Sequence, residues 1–167
     1  MIAKAGVRIG VVSDTHLKER DERLCHVLEE HFRDCDLILH AGDLVDPSVL
    51  ALFGKRDVRA VFGNADPPEV RQILSDRIVV HLNGFRLGLI HDCEMSTVDG
   101  PGIPRGMGSV DCLVFGHTHR PVNFVSGGVL YFNPGSTTSN RISRYNSIGI
   151  LEIGRTITGQ IIELRDN

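Results

Sequence analysis

Five short apolar runs in this chain each stop at a carboxylate, a histidine or a carboxamide. That coincidence narrows the possible fold more than any other feature. Residues 7–12 run into Ser13-Asp14-Thr15-His16, residues 36–40 into Gly42-Asp43, and residues 58–62 into Gly63-Asn64-Ala65-Asp66. Further on, residues 85–90 run into His91-Asp92 and residues 112–115 into Gly116-His117-Thr118-His119. Short runs rich in Val, Ile and Leu and bounded by turn formers read as buried strands. Helical patterns separate the first three. Residues 18–33 carry Leu24, Val27, Leu28 and Phe32 at helical spacing, residues 47–53 open with Pro47 behind Asp46 as a cap, and residues 68–74 form a short helix. A βαβαβα beginning implies parallel strands joined by crossovers. Ligands of such sheets bind beyond the carboxyl ends of the strands, so the five polar ends are expected to meet in one crevice.

The second half reads as β-rich. Asn83-Gly84 joins strands over 78–82 and 85–90, Ser126-Gly127-Gly128 joins 121–125 and 129–132, and a last hairpin over 147–153 and 156–164 turns at Gly154. Residues 94–109, with four glycines and two prolines, read as a loop with a helical turn. Ten strands crowd a single sheet, so two packed sheets flanked by helices in one domain over 1–167 is the expected α/β architecture. The net charge of −3 offers no basic groove for nucleic acid, which weighs against a nuclease. No apolar run approaches the roughly 20 residues of a membrane span. The four cysteines form no CxxC pair and the N-terminus lacks a leader-like apolar region, so reduced thiols and a cytoplasmic setting are expected.

The polar ends supply two carboxylates, four histidines and one carboxamide. Mixed oxygen and nitrogen donors suit Mn, Fe, Zn, Co or Ni better than Ca or Mg. Asp14 and His16 lie two apart, as do His117 and His119, so on an extended segment each pair leaves the chain on one side. Gly42, Gly63 and Gly116 provide the short backbone beside them. Seven donors for two ions require a bridging carboxylate, for which Asp43, alone on its loop, is the choice. Two ions roughly 3.5–4 Å apart can share a hydroxide and stabilise both oxygens of an in-line displacement at phosphorus.

In this order, Asp-x-His, Gly-Asp, Gly-Asn, a strand-end His and Gly-His-x-His resemble the calcineurin-like metallophosphoesterase superfamily. Gly-Asn-x-Asp, Gly-His-Thr-His and Asn-Pro-Gly-Ser resemble its small bacterial and archaeal phosphodiesterase branch, over residues 7 to 136. The resemblance implies a four-layer α-β-β-α sandwich of two mixed sheets. It implies two divalent ions, Mn first among them, one held by Asp14, His16, Asp43 and His119 and the other by Asp43, Asn64, His91 and His117. Asn64, His91 and Asp43 form the catalytic core, with Asn64 near enough to touch the substrate phosphate. The implied activity is hydrolysis of a small phosphoester, a diester before a monoester, by a bridging hydroxide.

Two positions depart from the family pattern. Ala65 stands where many members carry His, which removes a dedicated general acid, and Asp92 follows His91 where Gly is common. Asp92 either orients a histidine or ends its strand. The competing reading is a non-catalytic metal-binding scaffold, since the superfamily includes a retromer subunit of this fold, but degraded ligand positions would mark it and all seven stand here. Arg120, Arg141 and Arg144 can bind phosphate or lie in a solvated face. His40 reads as a core or supporting histidine, Asp66 as a cap or a support, and Asn133-Pro134-Gly135-Ser136 as a turn that the resemblance places near the site. Homo-oligomerisation is open, since the terminal hairpin can pair or cover an edge.

Overall fold

A computed structural model describes residues 6–93, 102–139 and 144–165. Its first sheet contains β1 (Val7–Val12), β2 (Leu37–His40), β3 (Val58–Ala60), β9 (Asn146–Ile153) and β10 (Ile157–Leu164), in the order β10-β9-β1-β2-β3. The second contains β4 (Arg77–Leu82), β5 (Phe85–Ile90), β6 (Cys112–Val114), β7 (Val122–Ser126) and β8 (Val129–Asn133), in the order β4-β5-β6-β8-β7. Strands β1, β2 and β3 are parallel, as are β5, β6 and β8, and the hairpin strands add antiparallel edges. Both sheets are therefore mixed. The hairpins sit where Asn83-Gly84 and Gly127-Gly128 predict them, with φ of 50° and 84° at the first pair and 57° and 82° at the second.

Period-two alternation decides which side chains enter the sandwich. Ile9 and Val11 of β1 and Leu39 of β2 meet Leu87 and Leu89 of β5, Val114 of β6 and Phe132 of β8 between the sheets. The opposite face of the first sheet presents Val12, Ile38, Ile148 and Ile150 to Leu24, Leu28 and Phe32 of the α1 region and to Val49 and Phe53. The Phe132 ring lies between the sheets against Gly149 of β9 and Gly159 of β10, and a methyl group at either glycine would collide with it.

The helices are shorter than periodicity suggests. Helix α1 covers Glu22–His31, because the Asp21 side chain accepts the Leu24 N–H at 2.9 Å and its extended backbone stops the helix from reaching back to residue 18. Pro47–Phe53 is a 3-10 helix, capped by Asp46 on the Ser48 N–H at 2.8 Å, and α2 spans Pro68–Ile73. The outer face of the second sheet is covered by irregular chain rather than helix among the described residues. Ile103, Met107 and Val110 pack there against Leu113, Phe115 and Tyr131. The expected helical turn over 94–109 lies partly outside the described residues, which show only turns from 102 onward. No described helix is long and apolar enough to cross a membrane.

This architecture points the carboxyl ends of β1, β2 and β3 and those of β5 and β6 at one rim. Loop-to-loop backbone bonds seal it: Asp14 N donates to Gly42 O, Gly116 N to His91 O and Thr137 N to Ser13 O, at 3.0, 2.9 and 3.1 Å. Truncating the residue that joins both sheets, Phe132→Ala, should cost about 3–5 kcal/mol in urea unfolding. A cost below about 1 kcal/mol would show that the sandwich does not depend on this contact.

Candidate metal centre

The loops that follow the strands are not extended. Asp14, His16, Asp43, His117 and His119 all have positive φ, between 47° and 66°. Five of the seven expected ligands thus occupy the left-handed region that L residues adopt at a cost. The expectation that Asp14 and His16 leave an extended segment on one side is corrected accordingly. Each Asp-x-His or His-x-His pair kinks twice; the kinks bring Asp14 and His16 together, while they send His119 to Asp14 and His117 to Asn64. The glycines act through close approach: a Cβ on Gly42 would strike His91, one on Gly63 would strike Asp43, and one on Gly116 would strike Ser13 and Asp14.

All seven side chains come together. Asp14 Oδ1 faces His119 Nε2 at 3.2 Å and His16 Nε2 at 3.8 Å. Asp43 Oδ2 lies between the two halves, 3.5 Å from His16 Nε2 and 3.3 Å from His91 Nε2. Asn64 Oδ1 is 3.0 Å from His91 Nε2 and 2.8 Å from His117 Nδ1. Among the described residues two donor groups are compact enough for a metal ion, Asp14 with His16 and His119, and Asp14 with Asp43 and His91, the atoms of each within 4.8 Å of one another. These groups share Asp14, whereas the expected bridge is Asp43. Asp43 Oδ2 nonetheless lies between His16 and His91.

Hydrogen bonds to backbone fix which ring nitrogens point inward. His91 Nδ1 lies 2.7 Å from Ala41 O and His119 Nδ1 lies 2.8 Å from Ser139 O. A carbonyl only accepts, so both rings carry a proton on Nδ1 and turn Nε2 toward carboxylate oxygens. Ring nitrogens facing carboxylates need a proton or a cation between them. Asp14 Oδ1 is buried and accepts no hydrogen bond, while Asp14 Oδ2 accepts from Ser13 Oγ at 2.6 Å and from His117 N at 3.1 Å. The donor set therefore fits divalent cations.

The electrostatics agree. Burial pushes the Asp14 carboxyl above its usual range, more than the Ser13 hydroxyl and the nearby histidines offset. Burial also works to raise Asp43, but His91 and the Ala65 N–H outweigh it and hold Asp43 low. Burial works to lower His91, and the Asp43 carboxylate beside it wins, leaving the imidazole raised.

Several supporting residues escaped the sequence reading or were left open by it. Asp66 is a support: its buried carboxylate accepts the N–H groups of Asp43, Gly63 and Val45 at 3.0, 2.7 and 2.6 Å, tying the β2 loop to the β3 loop. Asn133 donates to Gly116 O at 2.8 Å and Ser136 Oγ to Asp14 O at 2.9 Å, which gives the Asn-Pro-Gly-Ser turn a place beneath the site. Arg120 is exposed, with its backbone N–H on Thr118 Oγ1 at 3.3 Å, Arg144 is exposed, and Arg141 lies outside the described residues. Cys93 and Cys112 are buried and no disulfide joins the four cysteines; burial pushes Cys112 up to about 12, so its thiol is not a ready nucleophile.

His40 is a buried support. Its Nδ1 accepts the Gly42 N–H at 3.2 Å, so Nε2 carries the proton toward Thr15 Oγ1 at 3.1 Å. Protonating Nδ1 would set two hydrogens against each other in a dry site, and burial lowers the pKa from 6.5 to about 3. The unfolded chain then binds the extra proton between these values. Stability rises with pH across that window and is lost as pH falls from 6.5 toward 3, by ~1.4 kcal/mol per pH unit for this one group. Urea unfolding of chelator-treated protein should be less steep in pH below 6.5 for His40→Gln than for the wild type. Equal slopes would remove His40 from the account.

Comparison with known proteins places these features in a family. Residues 7–156 match the model of the calcineurin-like phosphoesterase superfamily domain. A probable metallophosphoesterase of Methanothermobacter thermautotrophicus is 35% identical over 166 residues, covering 92% of this chain and 91% of that protein. A phosphodiesterase of Methanocaldococcus jannaschii is 26% identical over 163 residues, covering 87% and 93%. Among solved structures, an archaeal phosphodiesterase superposes with a TM-score of 0.73 at 23% identity, covering 95% of this chain and all of that one. Vacuolar Protein Sorting 29 of Cryptosporidium parvum superposes with a TM-score of 0.74 at 22% identity, covering 98% and 94%. Matched along nearly its whole length, with the strand-end donors gathered at one rim, the chain belongs to the calcineurin-like phosphoesterase superfamily.

Proposed function

We propose that this protein is a dinuclear phosphodiesterase. One observation carries the reading: His91 and His119, pinned by the Ala41 and Ser139 carbonyls, direct Nε2 at Asp43 and at the hydrogen-bond-free oxygen of Asp14. Asp14, His16, Asp43 and His119 would hold one cation, and Asp43, Asn64, His91 and His117 the other. The pair of cations would polarise the phosphoryl oxygens and supply a hydroxide for in-line attack at phosphorus. The mixed donor set admits Mn, Fe, Zn, Co and Ni, and the family resemblance puts Mn first.

The chain's own residues then have separable tasks. Asp43 Oδ1 is turned away by the Ala65 N–H at 2.8 Å, which leaves Oδ2 for the space between the two halves. The Asn64 carboxamide stands at the exposed mouth of the site, where it can meet a substrate phosphate. Ala65 offers no acid to the leaving group, so diesters with good leaving groups are the favoured test substrates. The diester preference is supported by the phosphodiesterase of M. jannaschii among the relatives. Four cysteines without a disulfide fit a cytoplasmic protein.

The likeness to Vacuolar Protein Sorting 29 keeps a second reading, a protein-binding scaffold, in view. Seven intact donors in one cluster favour catalysis over it. Chelator-stripped protein supplied with Mn²⁺ should hydrolyse an activated aryl phosphodiester, and His117→Ala should lower the rate at least about 100-fold. Absence of turnover with every divalent metal supplied would favour the scaffold.

A further inference from the structure

A pocket of about 310 Å³ opens directly from the metal centre, with Asn64 and His91 as one wall and Phe62, Ile90, Arg71 and Arg77 around the rest. Of its two carboxylates, Asp76 accepts from Arg77 Nε and Nη2 at 2.9 and 2.8 Å, and Asp92 Oδ2 stands at the side of His117, 4.0 Å from Nε2. Arg71, on α2, is different. Its Nε donates to Asp66 O at 2.7 Å and its Nη2 to Gly63 O and Asn64 O at 3.3 and 3.0 Å. These partners are backbone carbonyls, which orient the guanidinium without neutralising it. No carboxylate lies within ion-pair range of it among the described residues. The guanidinium rests over the Phe62 ring, 5.1 Å from its centre, and Nη1 makes none of the three bonds. A fixed, un-neutralised cation with spare donors, in a pocket continuous with the site, is built to receive an anion.

Resting on the phosphodiesterase reading, we propose that this pocket takes the non-reacting arm of the substrate and that Arg71 binds a second anionic group on that arm. The substrate class is then a phosphoester that carries a further carboxylate or phosphate, beyond the phosphoryl group at the cations. Ile90 and Phe62 line the pocket with apolar surface for the connecting carbons.

Three aryl phosphodiesters test this on the Mn²⁺-loaded protein: one with a plain alkyl arm, one with that arm ending in a carboxylate, and one with it ending in a phosphate. The wild type should show a KM at least about tenfold lower for one or both anionic arms, and the better of the two identifies the group. Arg71→Gln should abolish this advantage, and Arg71→Lys should restore part of it. Equal KM values for the three esters in the wild type overturn the proposal, as does an Arg71→Gln defect of the same size on all three, which would make Arg71 a positioning residue for the Asn64 loop. Calorimetric binding of the same esters separates the two readings. If none is hydrolysed, the phosphodiesterase reading fails, while a binding preference that depends on Arg71 still supports the pocket and its absence overturns it. Should Arg71→Gln not fold, the wild-type comparison decides alone.

Discussion

Everything around the rim is arranged to keep oxygen and nitrogen ligand atoms close together. Asp14 Oδ1 accepts no hydrogen bond although it is buried, and it faces His119 Nε2 at 3.2 Å. Asp43 Oδ2 stands within 3.5 Å of two more imidazole nitrogens. Such a cluster is unfavourable by itself, since buried polar groups without partners cost a few kcal/mol each. It persists because the surrounding backbone leaves these groups nowhere else to point. Five residues in left-handed conformations, each costing of order 1–3 kcal/mol, represent the same kind of expenditure.

The offset lies elsewhere in the molecule. Two five-stranded sheets close over a core running from Ile9 and Leu39 to Leu89 and Phe132, and that burial supplies the surplus. The connection between core and site is short. Asp66 locks the β2 and β3 loops through three amides, Asn133 ends β8 and braces Gly116, and Ser13 and Ser136 hold Asp14 from both sides. Rigid strands therefore deliver the donors, and a ring of hydrogen bonds sets their final orientation. Arg71 belongs to the same ring through its carbonyl contacts, yet it also reaches into the neighbouring pocket, which links ligand recognition to the loop that carries Asn64.

Much of this was legible in the chain itself, for physical reasons. Ile9 to Val12 and Leu87 to Ile90 are buried on both faces, so they appear as short runs without a polar residue, and Asn83-Gly84 marks its turn because few other pairs tolerate two positive φ values. The metal-type residues stood out because they recur at the ends of such runs. Other features left no local trace. The left-handed backbone at Asp14 and His119 is imposed by tertiary contacts, the three amides on Asp66 come from two different loops, and the start of α1 depends on one cap at Asp21. Arg71 looked like any charged residue on a short helix, because its significance lies in which carboxylates are absent from its surroundings.

The central claim is that two cations share this rim through Asp43. Electron paramagnetic resonance during Mn²⁺ titration of the chelator-stripped protein tests it directly. The account predicts saturation at two ions per chain, with the spectrum of a spin-coupled pair whose coupling is lost in Asp43→Asn. One ion per chain, or two that remain magnetically independent, would contradict it.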